Sequence, residues 1–255
     1  MWGKIIGSFA GFAMGGPLGA LFGAAAGHAY DKINDDEPAN KLPPFGARES
    51  LGSGISDQAR QAAFSIAVVV LGAKIAKADG IVNRREIDAF KEVFRVPPQE
   101  MKNVGRVFDA AKQDAAGFEP YAQQIAILFR REPAVLEDVL ASLFFIARAD
   151  GDIKPSEIAF LRRVADIFGL DHAAYERVRA IFARPEASDP YRILGLTHAA
   201  SSEEVKKTYR QLIREHHPDV LMAKGLPKHF IEVANQKMAA INGAYDQIER
   251  ERGLK

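Results

Sequence analysis

One twelve-residue pattern occurs twice in this chain of 255 residues, and it limits the possible folds more than any other feature. Ala76-Lys77-Ala78-Asp79-Gly80-Ile81-Val82-Asn83-Arg84-Arg85-Glu86-Ile87 returns further along the chain as Ala147-Arg148-Ala149-Asp150-Gly151-Asp152-Ile153-Lys154-Pro155-Ser156-Glu157-Ile158. The shared skeleton is A-x-A-D-G-x-[IV]-x-x-x-E-I. In each copy a helix runs to Asp-Gly and stops, because glycine takes the left-handed conformation without a Cβ penalty. A second helix starts near Asn83 or near Pro155, where proline's missing N–H would have no partner anyway. Ile87, Phe90 and Phe94 then follow at helical spacing, as do Ile158, Leu161, Ala165 and Phe168. Two helical hairpins related by pseudo-symmetry predict one all-α bundle over residues 58–184. The stretch AAFSIAVVVLGAKIAKADG that opens it is apolar enough to suggest a membrane helix. Lys74 and Lys77 interrupt the run, and the repeat assigns it to the bundle core.

The repeat also duplicates a chemical constellation. Asp79, Glu86, Asp150 and Glu157 put four carboxylates on two equivalent turns. Oxygen ligands so placed suit a hard divalent cation such as Ca²⁺ or Mg²⁺. The same residues also serve without any metal. An Asp before Gly caps a turn, and a Glu in a first helical turn satisfies backbone N–H groups and the helix dipole. Neither copy contains an EF-hand loop, and capping carries more weight than metal binding.

Ahead of the bundle, the run from Ile5 to Gly27 holds no charged residue. A helix needs about 20 apolar residues to span the hydrocarbon core, and this run is long enough. Glycine recurs at 3, 7, 11, 15, 19, 23 and 27, a strict period of four. On a helix this leaves a groove that lets two backbones approach closely, as in small-xxx-small packing of membrane helices. Residues 1–30 are therefore expected to form a membrane segment that self-associates as a homodimer. A cleaved signal peptide fits less well, since Lys4 alone would form its charged region. A soluble helix would lose about 1 kcal/mol at each interior glycine. Gly15-Gly16-Pro17 leaves a bent hairpin as the alternative to a single span. Lys32 and Lys41 after the segment favour a cytoplasmic C-terminal side. Residues 31–57, with prolines, glycines and mixed charges but no helical period, form a linker.

The remaining segment, residues 189–255, begins at Asp189-Pro190-Tyr191-Arg192-Ile193-Leu194-Gly195-Leu196, a short helix opened by Pro190 and closed by Gly195. Ser201-x-x-Glu204 is a capping box. Val205, Tyr209, Leu212 and Ile213 then line one face of the next helix, while Lys206, Arg210 and Arg214, with Lys207 beside them, line another. Pro218 disfavours helical geometry in the residue before it, so the helix ends at His216-His217-Pro218-Asp219. After a loop through Gly225-Leu226-Pro227, a last helix places Phe230, Val233, Lys237 (by its stem alone), Ile241, Ala244, Tyr245 and Ile248 on its core face. The two long helices are expected to lie antiparallel.

These residues carry resemblances to known families. The order D-P-Y-R-I-L-G-L, E-E-V-K-K-T-Y-R-Q-L-I-R-E-H-H-P-D and an aromatic-ended last helix resembles a J-domain, with the signature tripeptide at His217-Pro218-Asp219. The duplicated A-D-G-x-[IV]-x-x-x-E-I segment resembles the TerB-like domain, whose acidic positions map onto Asp79, Glu86, Asp150 and Glu157. Together with the glycine-rich opening, the chain is similar to the DjlA family of membrane-anchored J-proteins. That resemblance implies a non-enzymatic co-chaperone in the inner membrane, spanning it once, with its C-terminal domains in the cytoplasm. It implies a DnaK-type chaperone as partner, docked by His217, Pro218, Asp219, Lys206, Lys207, Arg210 and Arg214, and brought toward ATP hydrolysis. No cofactor is required, and the divalent cation remains the one candidate. A cation-responsive signalling or scaffold protein with an accessory J-domain is the alternative.

Composition removes other classes. There is no cysteine, so disulfides, thiolate metal sites and cysteine nucleophiles are excluded. Thirty-four basic and 33 acidic residues give a net charge of +1, with no overall field to attract nucleic acid. No nucleophile elbow, P-loop or H-E-x-x-H helix is present. General DnaJ proteins carry glycine/phenylalanine-rich and zinc modules, which this sequence lacks, so client selection falls to residues 58–184.

Overall fold

A computed structural model of the chain describes residues 57–80, 82–94, 101–112, 117–183, 188–223 and 230–253. The expected membrane segment at 1–30, the linker up to residue 56 and the loop through Gly225-Leu226-Pro227 lie outside the described residues. Every contact below belongs to the unit Ala67–Lys255. The described residues form eleven α-helices and no strand, in line with the all-α fold expected from the sequence. In chain order they are α1 (Asp57–Ala76), α2 (Arg84–Phe94), α3 (Met101–Ala111), α4 (Glu119–Leu128), α5 (Pro133–Ala147), α6 (Pro155–Phe168), α7 (His172–Phe182), α8 (Pro190–Leu194), α9 (Ser202–His216), α10 (Pro218–Ala223) and α11 (Ile231–Arg252).

The two copies of the repeat are the two helix–turn–helix units α1–α2 and α5–α6. Each first helix stops earlier than Asp-Gly, at Ala76 and at Ala147, and a turn carries the chain on to the glycine. Gly80 (φ +95°) and Gly151 (φ +136°) make the reversal in a region that side chains with a Cβ rarely enter. In the second helix of each copy the apolar stripe is inside. Phe90, Leu161, Ala165 and Phe168 are buried and Ile87 and Ile158 half-buried, while the Phe94 side chain lies outside the described ones.

Helix α5 is the central element. Thirteen of its fifteen residues are buried, Glu137 and Asp138 among them, as expected of a largely apolar helix enclosed by its neighbours. It packs against α2, α6 and α7 of the bundle, and against α9 and α11 of the C-terminal segment. Leu140, Leu143, Phe144 and Ile146 of α5, with Leu71, Ile75, Ile125 and Phe129 from α1, α4 and the turn after α4, are among the large side chains wholly removed from solvent. Phe90–Phe108, Phe118–Phe160 and Phe144–Tyr175 ring pairs extend the core, at centroid separations of 4.7, 4.0 and 6.0 Å.

The C-terminal segment is a helical hairpin of α9 against α11, with α8 packed on both. Tyr209 stacks on Tyr245 at 3.9 Å, and the Tyr209 hydroxyl donates to Asn242. At the far end of α11 the Arg252 guanidinium donates to the Tyr191 hydroxyl (2.6 Å) and to the carbonyls of Ala200 (2.6 Å) and His198 (2.8 Å). The end of α11 therefore lies beside the start of α9, and the hairpin is antiparallel as expected. One expectation needs correcting. Lys237 does not bury its stem alone; the whole side chain, ammonium included, is inside.

Candidate partner-binding site

Helix α9 is held at both ends by local chemistry. At its start the Glu204 backbone N–H donates to Ser201 Oγ (3.2 Å), and the Ser201 N–H donates back to Glu204 Oε2 (2.7 Å). This reciprocal pair satisfies two donors that a helix N-terminus otherwise leaves open. Val205 and Leu212 are buried against the rest of the hairpin, so the opposite side of the helix faces water. There Lys207, Arg210 and Arg214 are exposed and Lys206 half-buried. The Arg214 Nε donates to the Arg210 carbonyl (3.2 Å), which lays its side chain back along the helix.

At the other end His216 is the last helical residue, and His217 takes an extended conformation (φ −61°, ψ 129°). That is the geometry the following proline demands. Consecutive histidines part company there. His216 is buried, whereas the His217 side chain is 48% exposed. The Asp219 N–H donates to His217 Nδ1 (3.2 Å), so in the neutral ring Nε2 carries the proton. The Leu221 N–H donates to the His217 carbonyl (3.0 Å), and the buried Leu221 side chain anchors the turn of α10. The Asp219 side chain stands 79% exposed, 3.8 Å from His217. His217, Pro218 and Asp219 are thus one ordered turn, and Arg214 lies one helical turn before it.

The four carboxylates of the repeat also come together, across the two turns. Lys154 of the second copy reaches Asp79 of the first, forming an ion pair, and its ammonium also lies 3.2 Å from Asp150 Oδ2. Asn83 of the first copy answers by donating to Asp150 Oδ2 (2.9 Å). Glu86 accepts from the Asn83 N–H (2.8 Å) and Glu157 from the Lys154 N–H (2.7 Å), each capping its own helix. Both glutamates are wholly buried. Burial pushes the Glu86 carboxyl up to about 7; the Asn83 hydrogen bond opposes this, while Asp150, Asp79 and Glu157 add repulsion. Burial also raises Glu157, against the Lys154 N–H and ammonium. Hydrogen bonds to Asp79 and Asp150 in turn hold Lys154 firmly protonated. Glu86 Oε1, Glu157 Oε1 and Asp150 Oδ1 are buried acceptors that no donor reaches. They are oxygens of the kind a hard cation takes, but the ammonium already lies between the two aspartates. Among the described residues no group of three or more His, Asp or Glu is arranged to hold a metal ion.

A second buried charge cluster was missed from the sequence. Glu137 on α5 accepts from Arg177 Nε (3.2 Å) and Nη2 (3.0 Å) of α7, and lies 3.6 Å from His216 Nε2 and 3.8 Å from Lys237 Nζ. Lys237 is ion-paired with Asp138. Burial would push Glu137 up, but His216, Arg177 and Lys237 together hold it at about 2. Burial takes Asp138 up to about 6, against the pull of Lys237. The available signal was a pair of charges inside the otherwise apolar PAVLEDVLASLFFIA and a lysine on an apolar stripe.

Comparison with known proteins agrees along the whole chain. Residues 1–58 match the co-chaperone DjlA transmembrane domain, residues 65–180 the tellurite resistance protein TerB, and residues 189–252 the DnaJ domain. The chain is 31% identical to the co-chaperone protein DjlA of Photobacterium profundum over the full length of both. It is 32% identical to that of Vibrio cholerae, covering 100% of this chain and 99% of the relative. It is 30% identical to that of Coxiella burnetii, covering 99% and 98%. No solved structure matches the chain.

Proposed function

The chain belongs to the DjlA family of J-domain co-chaperones, and on that premise we propose that it recruits a DnaK-type chaperone to a membrane and stimulates its ATP hydrolysis. The observation that carries the proposal is the ordered His217-Pro218-Asp219 turn, presented at the end of an exposed basic helix face. Lys206, Lys207, Arg210 and Arg214 steer and orient an acidic surface of the partner. Asp219 contributes a charge-assisted hydrogen bond to a basic group on it, and His217 and Pro218 shape the turn that offers this carboxylate. For hydrolysis to follow, the turn must bind one state of the chaperone better than the other. The protein thereby acts as a regulator and performs no chemistry of its own.

The test is single-turnover ATP hydrolysis by a cognate DnaK-type chaperone with the full chain added. Wild type accelerates it, and His217→Gln or Asp219→Asn reduces the acceleration to background. A wild-type chain without effect overturns the proposal.

The DjlA transmembrane match makes this a membrane protein. Among the described residues no helix is long and apolar enough to cross a membrane. We propose residues 1–30 as the span: a single pass in the inner membrane with the C-terminal side in the cytoplasm, where ATP is available, and homodimers formed through the glycine groove. A reporter of helix association in the bilayer should lose its signal with Gly11→Leu and Gly15→Leu; an unchanged signal would remove the dimer.

For Asp79, Glu86, Asp150 and Glu157 the proposed role is structural, with Lys154 as their counterion. A Ca²⁺ or Mg²⁺ ion would enter only by displacing that ammonium.

A further inference from the structure

We propose that Glu137 and Asp138 are positioning residues for the His217-Pro218-Asp219 turn: they clamp the J-domain to the TerB-type bundle through His216 and Lys237, so that the turn is presented from a fixed base. The proposal rests on the co-chaperone reading for what the turn does, while the clamp itself stands on geometry alone.

The two carboxylates sit on the most buried helix of the bundle, and their partners come from three directions. Arg177 is on α7 of the bundle, His216 at the end of α9, and Lys237 on α11. None of the five residues is more than 8% exposed. Cohesion alone would be better served by apolar side chains, because desolvating charges offsets much of what their pairing gains. A buried charge cluster fixes relative placement instead. A small slide of one domain on the other would leave charges unpaired where water cannot reach them.

Close approach elsewhere in the interface points the same way. Gly195, which ends α8 at φ +72°, leaves little room for a side chain. A Cβ there would meet Arg177 Nη1 at 3.0 Å and the Ala173 Cβ at 3.3 Å. Helix α8 is thus seated on α7, and Arg177 bridges that seat to Glu137.

The link to the turn is covalent and short. His216 is inside the cluster, and His217 is the next residue, facing out. Holding the His216 ring holds the end of α9. The His217 carbonyl and the buried Leu221 then carry that constraint through the turn. Lys207, Arg210, Arg214, His217 and Asp219 take no part in the cluster, so clamp and docking face are separable by mutation.

The chain contains no cysteine, so nitroxide labels can be placed at will in the full-length protein in lipid nanodiscs. Arg163→Cys on α6 and Asp246→Cys on α11 are both at exposed positions. With the labelled chain diluted into an excess of unlabelled chain, so that no dimer carries two labelled copies, pulsed dipolar spectroscopy should give one narrow distance in this background. Lys237→Ala and Glu137→Ala should broaden it or add a second. If either fails to fold by circular dichroism, His216→Gln and Asp138→Asn provide the same test with milder changes.

In the ATPase assay, the chain concentration needed for half-maximal stimulation of the chaperone should rise about tenfold, within the usual range for coupling between sites. The rate at saturation should stay within about twofold, because the exposed basic face is intact. A narrow distance that survives in the folded variants overturns the clamp. Broadened distances with an unchanged half-maximal concentration overturn the positioning role. A wild-type chain with a narrow distance that never stimulates the chaperone overturns the co-chaperone reading, and the positioning role with it, while the clamp stands measured.

Discussion

Two groups of carboxylates lie inside this fold, and they are built in opposite ways. At the repeat, Lys154 pairs with Asp79 and Asp150 beside the buried Glu86 and Glu157, and that lysine keeps part of its surface in water. Between the domains, Glu137 and Asp138 are matched by Arg177 and Lys237, with His216 beside them, all sealed from solvent. The first group has a surplus of negative charge and relieves it by capping helices and by raising carboxyl pKa values. The second is balanced, and its cations hold Glu137 ionised even though it is buried. The difference teaches what each does for the protein. An acidic surplus at a half-open turn is tolerated where backbone N–H groups absorb it. A balanced, sealed cluster tolerates almost no change of partner or of placement.

The sharpest way to break this comparison is to remove one cation from each site. Lys237→Ala should lower stability by about 3–5 kcal/mol, the usual loss when one member of a buried pair is deleted, as measured by urea unfolding of the full chain. Replacing both Asp138 and Lys237 with leucine should recover most of that loss, since no charge is then stranded. Lys154→Ala should cost only about 1 kcal/mol, because its ammonium is partly solvated. Equal losses at the two sites would erase the distinction.

Acidity separates them next, by the sign of its effect. Glu86 has a folded pKa near 7 against an ordinary 4.5, so between those values the folded state binds more protons than the unfolded. Its contribution is complete at low pH and is lost as pH rises from about 4.5 to about 7. Glu137 is lowered from 4.5 to about 2, so its contribution is complete above pH 4.5 and is lost as pH falls toward 2. In unfolding measured against pH, Glu86→Gln should remove the first loss and Glu137→Gln the second.

The smallest effect expected is heat. Calorimetric titration of the full chain with Ca²⁺, Mg²⁺ or Mn²⁺ should give none at the repeat, whereas Lys154→Ala should take up a cation among the freed carboxylates. Heat in the wild type that disappears with Asp79→Ala and Asp150→Ala would make the repeat a cation site after all.

The contrast also explains what could be seen without coordinates. The repeat cluster was legible because duplication marks it: the Asp79 and Glu86 of one copy recur as Asp150 and Glu157 on the same skeleton. Even so, the sequence did not disclose that Lys154 and Asn83 would each reach into the opposite copy, a consequence of how the two turns face each other. His217, Pro218 and Asp219 were legible because proline ends α9 wherever the rest of the chain goes. Glu137, Asp138, Arg177, His216 and Lys237 carry no shared spacing. In the sequence His216 marks only a helix end and Lys237 only a stem on an apolar stripe, and nothing joins either to Glu137, Asp138 or Arg177.

By itself, the sequence determined the helices' common character, the pseudo-symmetric hairpins, the capping boxes and the exposed turn at Asp219. All of these follow from interactions within a few residues, where helical period, proline and glycine leave little choice. Only the tertiary structure decided that the J-domain is seated on α5 and that a lysine and a histidine from it are buried there. That choice depends on bringing together charges far apart along the chain in a medium without water, and no local pattern encodes it.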